Sequence, residues 1–504
     1  MKRIFTISGL VLFCFFFIST AYAQNITVKG KVTDATTGET LVGVSVTVKG
    51  TTNGTQTDVN GAYSIAAPST ATLAFTYIGY ARQEVAVSGR NNIDIKLLAA
   101  SSELQQVVVI GYGTQRKIDN TGSVASVKGS DVAKEASQNA LSSLQGKVAG
   151  VNIINSGSPG ASPQVTIRGL GTIGGSSSPL YVVDGVWYDD ISFLNTADID
   201  NISVLKDASS TAIYGIRGAN GVLVITTKRG AKGKPVINYN GYAGWQKATN
   251  LVKMANGTEY ATAINELIAS GNTPGNFNPP LFSDPASYGT GTNWYDQILR
   301  NAFVTNHELS LGGGSQNNVY NVSVGYLDQD GLVKTNNYKR YTLHVSDDWT
   351  VAKPLKIGFT LSGLSSESSD INGGIFHELY AAAPTLPVFY ADGKYGDPGD
   401  YHTGDGNNFN PQATIDFFNQ HSRNKRLTGN AYAELTFLKD FKFKTSYGGD
   451  IAQAEVRSYT PVYFATQAQQ STTSTLDVQH TETRNWIWEN TLTYNKTIGD
   501  HRIT

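Results

Sequence analysis

One segment of the sequence has the spacing of a dinucleotide-binding loop. Gly169-Leu-Gly-Thr-Ile-Gly174 fits the pattern G-x-G-x-x-G and follows a strand-like run. In that motif the glycines let the backbone approach a pyrophosphate, which binds at the N-terminus of the next helix. Here Gly175-Ser-Ser-Ser-Pro179 follows instead of a helical pattern. We therefore interpret the segment as a loop rather than as a nucleotide site.

The patterns that suggest metal sites are incomplete. Asp328-Gln-Asp-Gly331 begins like a calcium loop, but no Glu follows at the twelfth position, so a hairpin turn is the better interpretation. His307-Glu308 and His377-Glu378 each lack the second histidine of a zinc helix. The seven histidines are dispersed from His307 onward. No metal, cofactor or enzymatic activity is predicted, and an extracellular hydrolase has no motif behind it.

Two pairs of carboxylates could also do acid–base chemistry. They are Asp189-Asp190 and Asp198 with Asp200. On loops or at helix starts such pairs more often cap helices or lie in solvated turns. We predict that structural role for both pairs.

The N-terminus has the pattern of an export signal. Lys2 and Arg3 precede an apolar run, and Ala21-Tyr22-Ala23 is a small-x-small cleavage site, so residues 1–23 are predicted to be a signal peptide. The only cysteine, Cys14, lies inside that peptide. The mature chain would therefore have no disulfide, thiol nucleophile or Cys-based metal site. A formal net charge of −1 gives no electrostatic case for nucleic acid.

The composition predicts a mainly β protein. Charged residues make up 16% of the chain, below the usual quarter, while Gly, Thr, Asn, Ser and Tyr are common. After the signal, no apolar run is long enough for a transmembrane helix. If the protein crosses a membrane, it must do so as a closed barrel.

Residues 24–100 are predicted to form a small β-sandwich. Short strands alternate with turns such as Asn53-Gly54 and Asn60-Gly61. The phrases from Gly50 to Tyr63 and from Tyr77 to Tyr80 resemble the carboxypeptidase-D regulatory-like domain. This domain contains no histidine, so the resemblance implies a folded extension without peptidase chemistry.

A short β-prone run lies in the linker 101–117. Val107 to Ile110 favour a strand, which Gly111 and Gly113 are expected to end. Such a segment is an edge with which another protein can pair. The linker resembles the TonB box of the SusC/RagA family of TonB-dependent outer-membrane transporters. Its box-like residues are Val107, Val108, Val109, Ile110, Gly111, Tyr112 and Gly113. The alternative interpretation is the first strand of the next domain.

Residues 118–230 are predicted to form a mixed α+β unit. Helical spacing runs from Val132 to Gly146, a short helix is expected over Asp207 to Tyr214, and strand-like pieces fill the rest. The unit is similar to the plug domain of TonB-dependent receptors, through the phrases Ser143–Val151, Val165–Gly169, Pro179–Gly185 and Ala208–Val222. The predicted plug motif comprises Arg168, Gly169, Asp184, Gly185, Tyr214, Gly215, Arg217, Gly218, Asn220 and Gly221.

From 235 to 504 the strands are longer and alternate strictly, which is typical of transmembrane β-strands. Lys442 and Lys444 are expected to face the lumen or lie near an interface, because a lysine facing lipid at the midplane costs about 2–4 kcal/mol. Two insertions, Met254 to Leu299 and Ile371 to Gln420, are predicted to be long extracellular loops.

Aromatic side chains in these insertions would lie near the extracellular mouth. They suit sugars and, nearly as well, peptides, although loop aromatics often pack only their own loop. They are Tyr288, Trp294, Tyr295, Phe376, Tyr380, Phe389, Tyr390, Tyr395, Tyr401 and Phe409.

The resemblance implies a plugged barrel of about 22 strands. Eight or nine strands are predicted here, so the chain is expected to be the N-terminal part of a longer outer-membrane importer. The implied partners are TonB energised by ExbB and ExbD, a SusD-like surface lipoprotein, outer-membrane lipid, and an oligosaccharide or oligopeptide cargo. The alternative is a secreted or surface β protein that binds or adheres without transport.

Overall fold

The computed structural model describes residues 25–35, 37–77, 80–98, 107–110, 113–116, 123–134, 139–271, 282–400, 409–498 and 501–503. The predicted signal peptide lies outside these ranges. The chain divides into two compact units, residues 1–107 with 116–119 and residues 108–115 with 120–504. In the described part of the chain the longest helix, Gly257–Ala269, is too short to span a membrane, and no other helix qualifies.

The first unit contains two small sheets that enclose one apolar core. One sheet has the order β4-β1-β7 and the other β3-β2-β5-β6. The strands are β1 (Asn25–Asp34), β2 (Ser45–Val48), β3 (Gly54–Gln56), β4 (Ala62–Pro68), β5 (Thr72–Thr76), β6 (Gln83–Ala86) and β7 (Ile95–Leu97). Along β4 exposed and buried residues alternate, which places Tyr63, Ile65 and Ala67 in the core. The predicted sandwich is confirmed, and β3 begins at Gly54, where the sequence predicts a turn.

The apolar run from Val42 to Val48 predicts a strand, but Val42 lies outside it. Gly43 has a φ of 78°, which interrupts extended backbone, and the strand begins only at Ser45. Val42 is 46% exposed, so it adds little to the apolar core.

The second unit begins with a five-stranded sheet that carries most of the plug-like core. Its order is β10-β15-β16-β13-β14, and β13 and β16 run parallel. The strands are β10 (Val124–Lys128), β11 (Val151–Ile154), β12 (Gln164–Ile167), β13 (Leu180–Val183), β14 (Val186–Tyr188), β15 (Ile199–Leu205) and β16 (Val222–Thr227). β11 and β12 form a separate pair. We call residues 123–230 the plug.

The predicted helix from Val132 to Gly146 is wrong. The structure has a short helix, α1 (Gly129–Ala133), and a separate 3-10 turn, Ser142–Leu144. Local bonds compete with a helix here, because Asn139 Oδ1 accepts from Leu141 N and Ser143 Oγ donates to the Ala140 carbonyl. The apolar residues that mimicked a helical stripe are buried in one core all the same. The second predicted helix is present as α2 (Ala208–Thr211) followed by a 3-10 segment, Ala212–Gly218.

An eight-stranded antiparallel sheet follows, with its strands in sequence order. The strands are β17 (Gly233–Gln246), β18 (Ala302–Gly314), β19 (Asn318–Asp330), β20 (Asn337–Ala352), β21 (Leu355–Ser369), β22 (Asn419–Phe437), β23 (Phe441–Thr460) and, after the short pair β24 (Tyr463–Phe464) and β25 (Gln470–Ser471), β26 (Thr475–Tyr494). A short pair, β27 (Lys496–Ile498) and β28 (His501–Ile503), comes last. The predicted alternation and the mainly β class are confirmed.

The connections between these strands differ at the two ends of the sheet. At one end they are short and cover 315–317, 353–354 and 438–440. At the other end they cover 247–301, 331–336, 370–418 and 461–474. This asymmetry is typical of outer-membrane barrels, whose outward-facing loops are long and whose periplasmic turns are short.

The two longest connections were predicted to be loops, but they contain helices and share a core. The helices are α3 (Gly257–Ala269), α4 (Trp294–Ile298), α5 (Ile375–Ala381) and α6 (Pro411–Phe417). Trp294, Ile298, Ile375, Leu379 and Ile415 are buried together. Trp294 Nε1 also donates to the Ala383 carbonyl at 3.1 Å, which joins one connection to the other. We call residues 247–301 and 370–418 the loop unit.

Candidate functional site at the plug–sheet interface

The box-like linker is extended, as the sequence predicts. Val107–Ile110 (β8) and Gly113–Arg116 (β9) are strands that pair with each other. Gly113 therefore begins a second strand and does not end the first. Gly111 and Tyr112 lie outside the described residues, and the role of Val107 to Gly113 stays a prediction.

The plug motif supplies a tight hairpin at Asp184-Gly185, between β13 and β14. Both residues have positive φ, 49° and 92°, as a two-residue type I′ turn requires. The Asp184 carboxylate accepts from Thr227 N at 3.1 Å and from Thr227 Oγ1 at 2.6 Å. Its backbone carbonyl accepts from Asn430 Nδ2 of the eight-stranded sheet at 2.6 Å. The turn therefore anchors the plug to that sheet.

Arg168 and Gly169 follow β12 with positive φ values of 57° and 89°. The Arg168 guanidinium lies 2.7 Å from the Asp207 carboxylate. Asp207 also accepts a hydrogen bond from Ser123 N, and this bond, followed by the Arg168 contact, lowers the pKa of Asp207. The pair holds the start of the Ala208–Gly218 segment beside the β11–β12 pair.

The remaining motif residues form a close-packed turn. Gly215 and Gly221 have φ values of 59° and 91°, and a Cβ at Gly221 would lie 2.7 Å from Ile167 Cδ1. Gly218 is equally restricted, since a Cβ there would lie 2.9 Å from the Thr211 carbonyl oxygen. Asn220 Nδ2 donates to the Ser176 carbonyl at 2.7 Å. These contacts explain the residue types without any ligand.

Tyr214 and Arg217 both contact Trp187 of β14. The Tyr214 ring meets the Trp187 ring edge-on at 5.9 Å, and the Arg217 guanidinium lies 5.8 Å from the Trp187 ring centre. Arg217 also pairs with Asp189 at 2.6 Å. The predicted motif residues thus lie in three groups of the plug: the Asp184-Gly185 turn, the Arg168–Asp207 pair with the glycine turn, and the contacts of Trp187.

One face of the eight-stranded sheet carries polar side chains toward the plug. We call it the inner face; it includes Ser323, Arg340, His344, Arg426, Thr428 and Asn430. Lys442 and Lys444 lie on this face, as predicted, because Lys442 pairs with Glu434 at 3.1 Å and Lys444 lies 4.8 Å from the Tyr432 ring centre. The opposite, outer face is rich in exposed apolar residues.

Arg426 is the most connected residue of this interface. Its guanidinium donates to both oxygens of Asp450, at 2.7 and 3.0 Å. It also donates to the Asp190 carbonyl of the plug at 3.2 Å and lies 4.8 Å from the Phe193 ring centre. Nearby, the Tyr188 and Thr428 hydroxyls share a hydrogen bond. The plug segment 188–198 is therefore bound to the sheet by polar contacts.

The prediction that Asp198 is a cap or solvated turn is wrong. Asp198 ends the 3-10 turn Thr196–Asp198, is only 3% exposed and accepts a hydrogen bond from Ser323 on the inner face. Burial raises the pKa of its carboxyl. Asp190 also contributes to the interface: its carboxylate lies 3.4 Å from the Arg426 guanidinium and accepts a hydrogen bond from Ser192 N.

Sequence reasoning missed the sheet side of this interface. Arg426, Thr428 and Asn430 alternate with residues of the outer face, so the polar half of the period-two pattern was the available signal. The sequence could not show which plug residue each of them would meet.

Two of the incomplete motifs lie in a loop and beside a hairpin connection, as the sequence predicts. Gly169 to Pro179 contains bends and no helix, and Asp328 and Asp330 end β19 before the hairpin connection 331–336. Within the described ranges, no group of three His, Cys, Asp or Glu residues could hold a metal ion.

Two family models match the chain. The CarboxypepD_reg-like domain matches residues 28–109, and the TonB-dependent Receptor Plug Domain matches residues 116–222. Together they cover most of the sandwich and of the plug, and they leave residues 110–115 of the linker between them.

Curated relatives match over nearly the whole chain. TonB-dependent receptor SusC of Bacteroides thetaiotaomicron is 37% identical over 467 residues, which cover 86% of this chain and 45% of that protein. TonB-dependent receptor P3 of Formosa agariphila is 35% identical over 517 residues, which cover 98% and 49% respectively. The chain spans about half the length of these relatives.

Solved structures of a peptide importer have a similar fold over about three quarters of this chain. The RagAB peptide importer in its open-open state superposes with a TM-score of 0.67 and 26% identity, over 78% of this chain and 47% of that chain. The closed-closed state gives a TM-score of 0.61 over 75% and 46%.

Proposed function

Because this chain has the domains, sequence and fold of about half of a SusC/RagA-type TonB-dependent receptor, we propose that its protein actively imports cargo across the outer membrane. The observation that supports this most is the seating of the plug on the inner face of the sheet by polar contacts. Hydrogen bonds and ion pairs can break one after another when the plug is pulled. Such contacts can therefore hold the plug on the sheet and still release it. No bond in the cargo needs to be broken, and no enzymatic step is required.

The outer face of the sheet supports a position in lipid. Leu309, Val324 and Leu343 are neighbours across three strands and are each more than 40% exposed. Trp486 and Trp488 of β26 are 71% and 64% exposed, and interfacial tryptophans are typical of membrane barrels. Contiguous apolar surface of this kind is rare on proteins in water. The strands, of 13 to 20 residues, exceed the roughly 9–11 residues needed to cross a bilayer.

Energy would reach the plug through the linker. TonB, energised by ExbB and ExbD, would add a strand to the segment Val107–Gly113 and pull on it. The plug begins a few residues later at β10, so tension would act on the β10–β15 edge of its sheet. Loss of the contacts at Asp184, Asp190 and Asp198 would then open a path along the inner face.

The cargo would first meet the loop unit. Phe376 and Tyr380 of α5 are 48% and 53% exposed there, and such aromatic faces suit sugars and peptides. The solved relative RagAB is a peptide importer. An oligosaccharide or oligopeptide is the proposed cargo, and a SusD-like surface lipoprotein is the proposed partner that would cover the loop unit.

Deletion of Val107–Tyr112 in the full-length protein tests the mechanism. Uptake of labelled oligosaccharide and oligopeptide pools should be lost, while binding to the cell surface persists. The matched control removes the same length of linker, Ser101–Gln106, and keeps the β-prone run. Unchanged uptake in the first variant, or equal loss in both, would count against TonB coupling through this segment.

The same experiment addresses the alternative of a binding or adhesion protein. Intact cells that bind a ligand but never accumulate it, whether or not Val107–Tyr112 is present, would favour a binding or adhesion protein over a transporter.

A further inference from the structure

Two carboxylic acids meet where the plug touches the inner face of the sheet. Asp198 belongs to the plug and accepts from Ser323 of β19. Glu308 belongs to β18 and pairs across the ladder with Gly325, two residues along from Ser323 on the same face. Diagonal neighbours of this kind lie about 7–8 Å apart or closer between Cβ atoms. The two carboxyls also interact electrostatically.

The plug lies directly on this part of the sheet. A Cβ at Gly325 would come within 2.6 Å of Asn195 Nδ2, three residues before Asp198. Asp198, Glu308 and the neighbouring His344 are 3%, 4% and 2% exposed. Solvent is therefore excluded from both acids in the closed arrangement.

Lys228 and Arg340 partly offset the negative charge of the pair. His344 uses Nδ1 to meet Ser362 Oγ at 2.9 Å. Arg340 donates to the Ser192 carbonyl at 3.2 Å, and the Lys228 side chain is exposed. Among the described residues, Glu308 Oε2 and His344 Nε2 have no hydrogen-bond partner, and neither acid belongs to an ion pair.

Two buried carboxylates that interact electrostatically are disfavoured when both are ionised, since each lacks water and repels the other. Removal of one charge by a proton relieves both penalties. Burial raises the pKa of Asp198, which also favours the protonated form of this acid.

We propose that Asp198 and Glu308 bind one proton between them in the closed state, and that this proton holds the plug against the sheet. When the plug moves away, both acids meet water, and the proton passes from the carboxyl oxygen to solvent, leaving two carboxylates. The consequence for gating rests on the proposed transport function, whereas proton binding requires only the plug–sheet contact. Opening would therefore be coupled to proton release, and closing to proton uptake.

The proton on the pair fixes the sign of the pH dependence. An acid whose pKa is raised in the folded state stabilises that state at low pH, and this contribution is lost as the pH rises through the folded value. We therefore expect plug docking to weaken as the pH increases above the ordinary carboxyl range.

A reporter thiol on the sheet can measure this without TonB or cargo. Ser346 of β20 is 1% exposed and donates to the Lys228 carbonyl of the plug, so Ser346→Cys in the full-length protein in detergent should become reactive to maleimide when the plug leaves the sheet. The urea midpoint for labelling is recorded from about pH 5 to about pH 9, and the protein without the reporter gives the background. The docking equilibrium constant should fall at least about tenfold across this range.

Amide variants identify the proton site. Asp198→Asn with Glu308→Gln should keep the low-pH midpoint at every pH, and each single variant should show a smaller decrease than the parent. Asp200→Asn is the matched control, since Asp200 is an exposed acid two residues after Asp198, and it should keep the full pH dependence. A parent midpoint that is constant or rises with pH, or an equal decrease in both single variants and the parent, would overturn the proposal. Neither result bears on uptake, so failure of this proposal is distinct from failure of the transport function.

Discussion

The guanidinium of Arg426 donates through Nε to one carboxylate oxygen of Asp450 at 2.7 Å and through Nη2 to the other at 3.0 Å. This fork joins β22 to β23 on the inner face and aims the third nitrogen at the plug carbonyl of Asp190. Arg426 therefore joins two strands of the sheet and also binds the plug.

Replacement of Arg426 should release the plug. In Arg426→Met the Asp450 carboxylate stays buried without its partner, and breaking a buried pair in this way costs about 3–5 kcal/mol. The urea midpoint of the full-length protein, followed by labelling of Ser346→Cys, should decrease. Arg423→Met is the control, because Arg423 is exposed and comes no closer than 3.8 Å to Glu367 and 4.0 Å to Glu455. Its replacement should change the free energy of unfolding by less than about 1 kcal/mol. Similar losses in both variants would argue against the importance of the fork.

The Asp184-Gly185 turn should be intolerant of a side chain at its second position. Gly185→Ala forces a φ of 92° on an L-residue, which costs about 1–2 kcal/mol. The plug should unfold at a lower urea concentration. Gly174→Ala provides the comparison, because a Cβ there meets nothing within 4 Å and the residue is not in the positive-φ region. A Gly185→Ala protein as stable as Gly174→Ala would contradict the type I′ assignment.

The two long connections should behave as one unit in limited proteolysis. Trp294 is 3% exposed, and its Nε1 bonds the Ala383 carbonyl, so Trp294→Ala removes a core residue and a bond between connections. Truncation of a buried tryptophan costs about 3–5 kcal/mol. We expect faster cleavage in both 247–301 and 370–418. Phe376→Ala, at a half-exposed site, should have a smaller effect, and faster cleavage of 247–301 alone would show that the core is not shared.

The sandwich should lose stability at alkaline pH through Tyr63. Burial raises the pKa of Tyr63 from 10.0 to about 12, and its hydroxyl donates to the Ile93 carbonyl at 2.8 Å. A raised pKa means that the neutral phenol is favoured in the folded state, so this contribution is present below pH 10.0 and is lost as the pH rises toward about 12.

Tyr63→Phe should lower stability by about 1 kcal/mol at neutral pH, since it removes one hydrogen bond, and should flatten the alkaline decrease. Urea unfolding of the first unit at a series of pH values measures both effects. The same alkaline slope in the parent and the variant would assign the decrease to other groups.

The prediction of a continuous helix over Val132 to Gly146 shows where reasoning from sequence stops. Val132, Ala140, Leu141 and Leu144 are buried together, as a helical stripe would place them. Local hydrogen bonds of Asn139 and Ser143 interrupt the helix, and the same apolar residues reach the core from separate turns. Periodicity reports which residues are buried, and several backbone paths can satisfy one burial pattern.

Asp198 was misjudged for a related reason. A carboxylate in a polar loop is usually solvated, and nothing within several residues of Asp198 indicates otherwise. Its partner Ser323 lies 125 positions away, and the sheet that buries it forms later in the chain. Burial of a loop residue by a distant element leaves no local pattern.

The sequence by itself determined the features that depend on neighbouring residues. Period-two alternation defined the long strands and placed Lys442 and Lys444 on the polar face, because successive side chains of a strand point to opposite sides. Asn60-Gly61 defined a turn, and Gly61 adopts the positive φ of 71° that such a turn requires. Only the tertiary structure decided which polar residues of the sheet meet the plug. Arg426 and Asp190 are 236 positions apart, and Asn430 and Asp184 are 246 apart, so their contact depends on how two separately patterned elements pack.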